Sequence, residues 1–85
     1  MGRDYDQIRK QLAHNIRMRR AEKGLSQEAL AFEADLDRTY ISQIERCVGN
    51  PSLLVLCKLS AILGTDVSEL MSETGERLSG DSNPV

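Results

Sequence analysis

Aromatic side chains are scarce in this sequence of 85 residues, which has no tryptophan, one phenylalanine and two tyrosines. The core must therefore consist of Leu, Ile, Val and Ala, which suits small helices packed closely together. No apolar run approaches the roughly 20 residues that span a membrane, and the first ten residues lack the apolar segment of a secretion signal. We expect a single domain in the cytoplasm that does not contact a membrane.

Residues that bind metals or perform catalysis are also few. Cys47 and Cys57 are ten positions apart, a spacing that fits no common metal site, and His14 has no second ligand near it. Two free thiols in a reducing compartment are the simpler interpretation, with a disulfide as the alternative. The sequence contains no nucleophile–base pair and no glycine-rich phosphate loop. We expect no metal, no cofactor, no small-molecule ligand and no enzymatic activity.

The formal net charge of −2 argues weakly against a nucleic-acid partner, but the charges are unevenly distributed. Residues 1–50 contain nine basic and eight acidic side chains, whereas residues 51–85 contain two and five. The local field governs phosphate binding more than the net charge does. The first part of the chain is therefore compatible with binding DNA.

Apolar spacing and capping residues predict helices throughout and no strand. Ile8, Leu12 and Ile16 recur every four residues and form the inner stripe of a first helix over about residues 6–23. Gly24 ends this helix, because glycine adopts the left-handed conformation without a steric penalty.

The most informative pattern lies between residues 25 and 53. Ser26 and Asp37 are favourable N-cap residues, and each follows a leucine that can pack back across the cap. They predict two short helices, the first ending at Asp35 and the second covering residues 38–46.

The second short helix has two different faces. Ile41 and Ile44 face inward, where they anchor the helix. The outward side chains are polar: Arg38, Thr39, Ser42, Gln43 and Arg46. This layout is typical of a helix-turn-helix, whose second helix is placed in the major groove of DNA.

Two further helices are predicted after the loop that contains Pro51. Ser52 caps a fourth helix that is apolar almost all round, which predicts burial on most sides. Cys57 on this helix is expected in the core or at an interface. Asp66 and Glu69 predict a capping box for a short fifth helix.

Residues 72–85 are polar and rich in glycine and serine, unlike the apolar segments that precede them. We therefore expect a domain over residues 1–71 and a polar, disordered tail over residues 72–85.

Three segments, LSQEALA, LDRTYISQIER and NPSL, strongly resemble the XRE/Cro-type helix-turn-helix family of phage repressors and small bacterial regulators. LDRTYIS followed by IER is especially similar to the controller proteins of restriction–modification systems. The resemblance covers about residues 16–71. It implies a compact all-α, lambda-repressor-like domain of five helices that regulates transcription as a homodimer on a palindromic DNA operator.

The resemblance also implies residues that read base edges. These are Arg38, Thr39 and Gln43, with Ser42 as a secondary contact. Arginine suits guanine and glutamine suits adenine, because both can form paired hydrogen bonds in the major groove.

A second set is implied for contact with DNA phosphates: Gln27, Tyr40, Arg46, Asn50, Ser52 and Arg17. Gln27 in addition braces the recognition helix. For Tyr40 a phosphate contact and simple cover of the helix edge are both open, and for Arg17 a phosphate contact and full solvation are both open. Arg20 and Glu45 match an ion pair that joins the first helix to the third.

This chain departs from the family pattern at three positions. Asp35 replaces the usual glycine of the turn, at a modest cost because aspartate tolerates the left-handed conformation. Cys47 also stands where the family has glycine, which predicts strain or a different exit from the recognition helix. Val48 replaces a commonly basic residue and removes one phosphate contact.

Dimerisation is expected because one domain reads only about four to six base pairs. The fourth and fifth helices carry more apolar side chains than a small core needs. Those expected to be shared between the core and a two-fold interface are Leu56, Ile62, Leu63, Val67, Leu70 and Met71.

Two alternatives concern protein partners. Glu28 and Glu33 on the second helix are either solvated or contact RNA polymerase bound beside the operator. The whole chain, because it is acidic overall, is alternatively a protein-interaction module such as an antitoxin or adaptor that hardly uses DNA.

Overall fold

The computed structural model of the protein describes residues 2–73 and contains five α-helices in that range, without a strand. In chain order these are α1 (Tyr5–Glu22), α2 (Gln27–Ala34), α3 (Arg38–Glu45), α4 (Leu53–Leu63) and α5 (Val67–Leu70). The predicted all-α architecture of five helices is thus confirmed. The bounds of α1 are shifted by one residue from those expected, with Lys23 as its C-cap.

Polar side chains fix the start of each long helix. The carboxylates or hydroxyls of Ser26, Asp37 and Ser52 accept hydrogen bonds of 2.9, 2.9 and 3.2 Å from backbone N–H groups in the first turns of α2, α3 and α4. These three predicted caps are confirmed. The cap of α1 was not predicted: Asp4 and Gln7 form a reciprocal capping box, in which each side chain accepts from the other's backbone N–H.

The fifth helix has only half of the predicted capping box. Asp66 accepts hydrogen bonds from the backbone N–H of Glu69 and the hydroxyl of Ser68. These bonds lower the pKa of the Asp66 carboxyl below its usual value. The Glu69 carboxylate, however, accepts a hydrogen bond from the hydroxyl of Thr65. It engages this hydroxyl and does not return a bond to the backbone N–H of Asp66.

The core is aliphatic, as the composition predicts. It is centred on Ile16, Leu30, Ile41, Leu59 and Leu70, which are the largest fully buried side chains of residues 2–73. These five come from five different helices, so each helix contributes to one shared core. The core therefore positions α2 and α3 relative to the other three helices.

The fourth helix is less buried than its composition suggests, and this part of the prediction is wrong. Leu53 and Leu54 are 68% and 66% exposed, and Cys57 and Ala61 are exposed as well. Leu53, Cys57 and Ala61 follow one another at intervals of four and therefore share one side of the helix. We call these three residues and Leu54 the α4 face. It is the apolar surface that α4 does not bury in the single chain.

The expected boundary at residue 71 falls at the end of α5, but the next two residues also contact the domain. The side-chain amide of Asn15 donates a hydrogen bond of 2.8 Å to the carbonyl of Ser72. Glu73 lies 3.6 Å from the guanidinium of Arg3. The rest of the predicted tail, residues 74–85, lies outside the described residues.

Candidate nucleic-acid interface

The turn between α2 and α3 begins at Asp35, the C-cap residue of α2.

 Asp35 adopts the left-handed conformation, with φ +58°, and ends α2. The backbone N–H of Leu36 then donates a hydrogen bond of 2.8 Å to the carbonyl of Ala31, which closes the turn. The prediction that the turn forms with Asp35 in the place of the usual glycine, because aspartate tolerates the left-handed conformation, is confirmed.

The recognition helix α3 rests on the core through its inner face. Ile41 is 0% exposed and Ile44 is also buried, as predicted, and both belong to the core cluster. Ala31 and Ala34 of α2 are buried as well, and small side chains at these positions let the two helices approach closely. The outer face of α3 is thereby held in a fixed position.

That outer face is polar and accessible. Arg38, Thr39 and Gln43 are exposed, and Ser42 is half-buried. An arginine and a glutamine on one accessible helix face are able to form paired hydrogen bonds with guanine and adenine. The chemistry needed to read base edges is therefore present on α3.

Most of the residues expected at phosphates are accessible to a ligand. Arg46, Asn50 and Ser52 are exposed, and Gln27 is half-buried at the start of α2. The hydroxyl oxygen of Ser52 accepts the capping bond of α4, which leaves its O–H free to donate. Tyr40 is half-buried and packs against the core cluster, so its ring covers the edge of α3.

Arg17 has a structural partner that the sequence did not reveal. Its guanidinium donates a hydrogen bond of 2.6 Å to the backbone carbonyl of Glu45, the last residue of α3. A cation at this end of a helix satisfies a free carbonyl and interacts favourably with the helix dipole. Arg17 remains exposed in part and so still presents positive charge to solvent.

The expected ion pair between α1 and α3 is present. Arg20 donates to both carboxylate oxygens of Glu45, from Nε at 2.7 Å and from Nη2 at 2.9 Å. The Glu45 side chain is only 3% exposed, so its charge depends on this partner. The hydrogen bonds to Glu45 raise the pKa of the Arg20 guanidinium above its already high usual value.

Gln27 extends the ion pair towards the base-reading residues. Its Nε2 donates to Oε1 of Glu45 at 3.0 Å, while its Oε1 accepts from Nη1 of Arg38 at 3.3 Å. The expected bracing of α3 by Gln27 therefore involves both ends of that helix. The contact with Arg38 was not predicted, because the two residues lie eleven positions apart and no local pattern joins them.

The exit from α3 has the strain expected from its sequence. Cys47 has φ +61°, a conformation that is unfavourable for residues with a Cβ atom. Val48 follows on an exposed loop, and its backbone N–H donates a bond of 2.8 Å to the carbonyl of Gln43. Both cysteines are free thiols, in agreement with the simpler interpretation of the sequence.

The residues expected at a dimer interface differ in their burial. Leu56, Leu63 and Leu70 are already buried in the core of the single chain, so they have little area left to share. Ile62, Val67 and Met71 are half-buried beside that core. The exposed α4 face was missed, because a helix that is apolar all round gives no sign of which side is uncovered.

Residues 2–73 provide neither a metal site nor a membrane span. No group of three or more His, Cys, Asp and Glu residues in this part of the chain is placed to hold a metal ion. Each helix in the same range is too short or too polar to cross a membrane.

Comparison with known proteins agrees with this geometry. A family model described as helix-turn-helix matches residues 16–70. The structure of a hypothetical transcription factor from Neisseria superposes with a TM-score of 0.79 and 40% identity, covering 93% of both chains. The restriction-modification controller protein C.AhdI from Aeromonas hydrophila gives a TM-score of 0.70 and 40% identity, covering 73% of this chain and 94% of that one.

A third similar structure is that of SinR, a master regulator for biofilm formation, in complex with DNA. Its TM-score is 0.68 at 39% identity, covering 72% of this chain and 98% of that one. The family match includes the complete turn and both of its helices. The chain belongs to the helix-turn-helix family of DNA-binding transcription regulators.

Proposed function

We propose that this protein binds a palindromic DNA operator as a homodimer, with α3 of each copy in the major groove. The observation that carries the proposal is the accessible polar face of α3, held in place from below by buried isoleucines. In this arrangement Arg38, Thr39 and Gln43 read base edges, and Ser42 is a secondary contact.

Polar residues outside the base-reading set are proposed to dock the protein on the DNA backbone. We assign phosphate contacts to Gln27, Tyr40, Arg46, Asn50, Ser52 and Arg17. Gln27 is the first residue of α2, and the N-terminal end of a helix favours a phosphate. Contacts of this kind fix the register of α3 without reading sequence.

A homodimer is supported by the apolar surface that the single chain leaves exposed. The α4 face, with Leu53 and Leu54 largely exposed, is continuous along one helix. A second copy that packs on this face would bury it from water. Ile62, Val67 and Met71 are half-buried and able to contribute at its margin. Two copies would then present two recognition helices to half-sites about 34 Å apart.

The biological setting is proposed from the relatives. Similarity to a restriction-modification controller supports control of such a system as the specific role, in the bacterial cytoplasm where the DNA is accessible. Glu28 and Glu33 are exposed on α2 and we propose them as a contact for RNA polymerase. The protein acts by binding alone, without catalysis and without a small-molecule ligand.

A second candidate, a protein-interaction module, is favoured by one observation. Phe32 on α2 is 85% exposed, and aromatic side chains are enriched among the residues that proteins use to bind one another. In that case the polar face of α3 would not matter for function. Alanine substitution of Arg38 and Gln43 therefore separates the two candidates.

The experiment is selection of bound sequences from a random duplex pool at about 150 mM salt. The DNA-binding proposal expects a palindromic consensus for the wild type and none for the double variant Arg38→Ala/Gln43→Ala. Lys10→Ala, which removes an exposed charge from α1, is the matched control and retains the consensus. A folded wild type that enriches no sequence contradicts the proposal and favours the protein-interaction module.

A further inference from the structure

A chain of hydrogen bonds connects the interior of the protein to the proposed base-reading face. It begins at Arg20, passes through the buried carboxylate of Glu45 and the amide of Gln27, and ends at the guanidinium of Arg38. Every link in the chain is a donor paired with an acceptor. The position of an exposed arginine is therefore linked to a buried glutamate on the same helix.

We propose that Glu45 is a positioning residue for DNA specificity: through Gln27 it sets where the Arg38 guanidinium lies before DNA is bound. This inference rests on the proposed function, since it concerns how Arg38 selects its base pair. Glu45 itself lies at the opposite end of α3 from Arg38 and is almost completely buried. It acts without touching DNA.

The chemistry of the Glu45 carboxylate determines which way the Gln27 amide is turned. A carboxylate accepts hydrogen bonds and cannot donate them. Gln27 must therefore turn its NH2 group towards Glu45, which leaves its carbonyl oxygen towards Arg38. An oxygen at this place attracts the guanidinium, whereas an NH2 group would repel it.

The same geometry leaves one N–H of Gln27 unused. Its NH2 group has two hydrogens, of which one is directed to Glu45. The second is available for a DNA phosphate while the other two bonds persist. Gln27 would thus join a phosphate contact to the position of a base-reading side chain, so that docking and reading occur together.

Glu45→Met is the sharpest test, because it keeps about the length of the side chain and removes both carboxylate oxygens. The Nε2 of Gln27 then loses the acceptor that turns its NH2 group away from Arg38. The Gln27 amide is free to reverse, so that its NH2 group faces Arg38. The variant should lose selectivity at the base pair that Arg38 reads, which is identified as the position whose preference disappears in Arg38→Ala.

The measurement is the ratio of dissociation constants for the consensus operator and for single-base variants of it. We expect this ratio to fall by about fivefold to tenfold at the Arg38 position, within the range that one paired arginine contact supplies. At the position read by Gln43 it should stay within about twofold. A uniform loss of affinity at all positions would instead show that Glu45 only stabilises the fold, and would overturn the proposal.

Two further variants make the result independent of stability. Gln27→Met removes both links but leaves the pair of Arg20 and Glu45 intact, so it should also lose selectivity at the Arg38 position even if Glu45→Met does not fold. Asn15→Ala removes buried hydrogen bonds elsewhere and should lower stability with its base selectivity unchanged. Selectivity retained in Gln27→Met contradicts the proposal.

A readout without DNA separates this proposal from the proposed function. In nuclear magnetic resonance spectra of the free protein, the side-chain NH2 signals of Gln27 should show contacts to the residue 45 side chain in the wild type and to Arg38 in Glu45→Met. If the wild type selects no base pair, the proposed function fails and these contacts alone decide whether Glu45 orients Arg38. The same contacts in both proteins would overturn the link.

Discussion

The side chain of Asn15 on α1 donates a hydrogen bond of 2.8 Å to the backbone carbonyl of Leu70 at the end of α5. A helix as short as α5 leaves its last carbonyls without partners within the helix. Asn15 is buried and also donates to the carbonyl of Ser72 at 2.8 Å. One amide on α1 therefore holds the last turn of the domain in place.

We predict that Asn15→Ala lowers the free energy of unfolding by about 1–3 kcal/mol, because the carbonyls it serves lose a partner in a region with little water. Urea unfolding followed by circular dichroism measures this. Gln11→Ala is the matched control on the same helix, since within residues 2–73 the Gln11 side chain forms only one long contact, of 3.4 Å, to Asn15. Equal losses in the two variants would contradict the assigned role of Asn15.

The exit from α3 gives a second prediction. Cys47 has φ +61°, and a residue with a Cβ atom in this conformation costs roughly 1–2 kcal/mol relative to its preferred one. Cys47→Gly should therefore be more stable than Cys47→Ala by about 1 kcal/mol, because alanine keeps the strain and both variants lose the thiol. Thermal or urea unfolding of the two variants checks the difference. An alanine variant as stable as the glycine variant would show that the strain is absent.

The sequence predicted best those features that depend on neighbouring residues. The caps Ser26, Asp37 and Ser52 form bonds within their own first turns, so their local pattern was sufficient. Ile41 and Ile44 were placed correctly because helical spacing fixes which side chains share a face.

Features that depend on distant residues were not accessible in the same way. The pair of Arg20 and Glu45 came from the family resemblance, and no spacing rule joins residues 25 positions apart. The link from Asn15 to Leu70 spans 55 positions and was missed. The exposed side of α4 was missed for another reason: tertiary packing decides which side of a uniformly apolar helix is covered.

A third prediction concerns the loop after α3. Val48 is exposed and stands where the family commonly has a basic residue. Val48→Lys should tighten binding to all duplexes alike and should steepen the dependence of log affinity on log salt by about 0.9, the value for one added phosphate contact. Affinity measured across a salt series checks this, with Val48→Thr as an uncharged control. A gain confined to the consensus operator would argue against a phosphate contact at this position.

The fourth prediction tests the proposed dimer surface. Leu53 and Leu54 are mostly exposed, so replacing both with serine should leave the fold of the single chain intact. If the α4 face is covered by a second copy, the change removes apolar area from the interface. The dimer dissociation constant should then rise by at least about a hundredfold, given roughly 1.5 kcal/mol for each leucine that is buried. Sedimentation equilibrium across the micromolar range measures it.

Phe32→Ser is the matched control for this experiment, because Phe32 is the more exposed side chain but belongs to α2 and not to the α4 face. The dimer of the Phe32→Ser variant should have the same dissociation constant as the wild-type dimer. A dimer that survives Leu53→Ser/Leu54→Ser but dissociates in Phe32→Ser would move the interface to α2, and the two recognition helices would then be spaced differently. Since the spacing of half-sites follows from the dimer geometry, the same result would also require a different operator length.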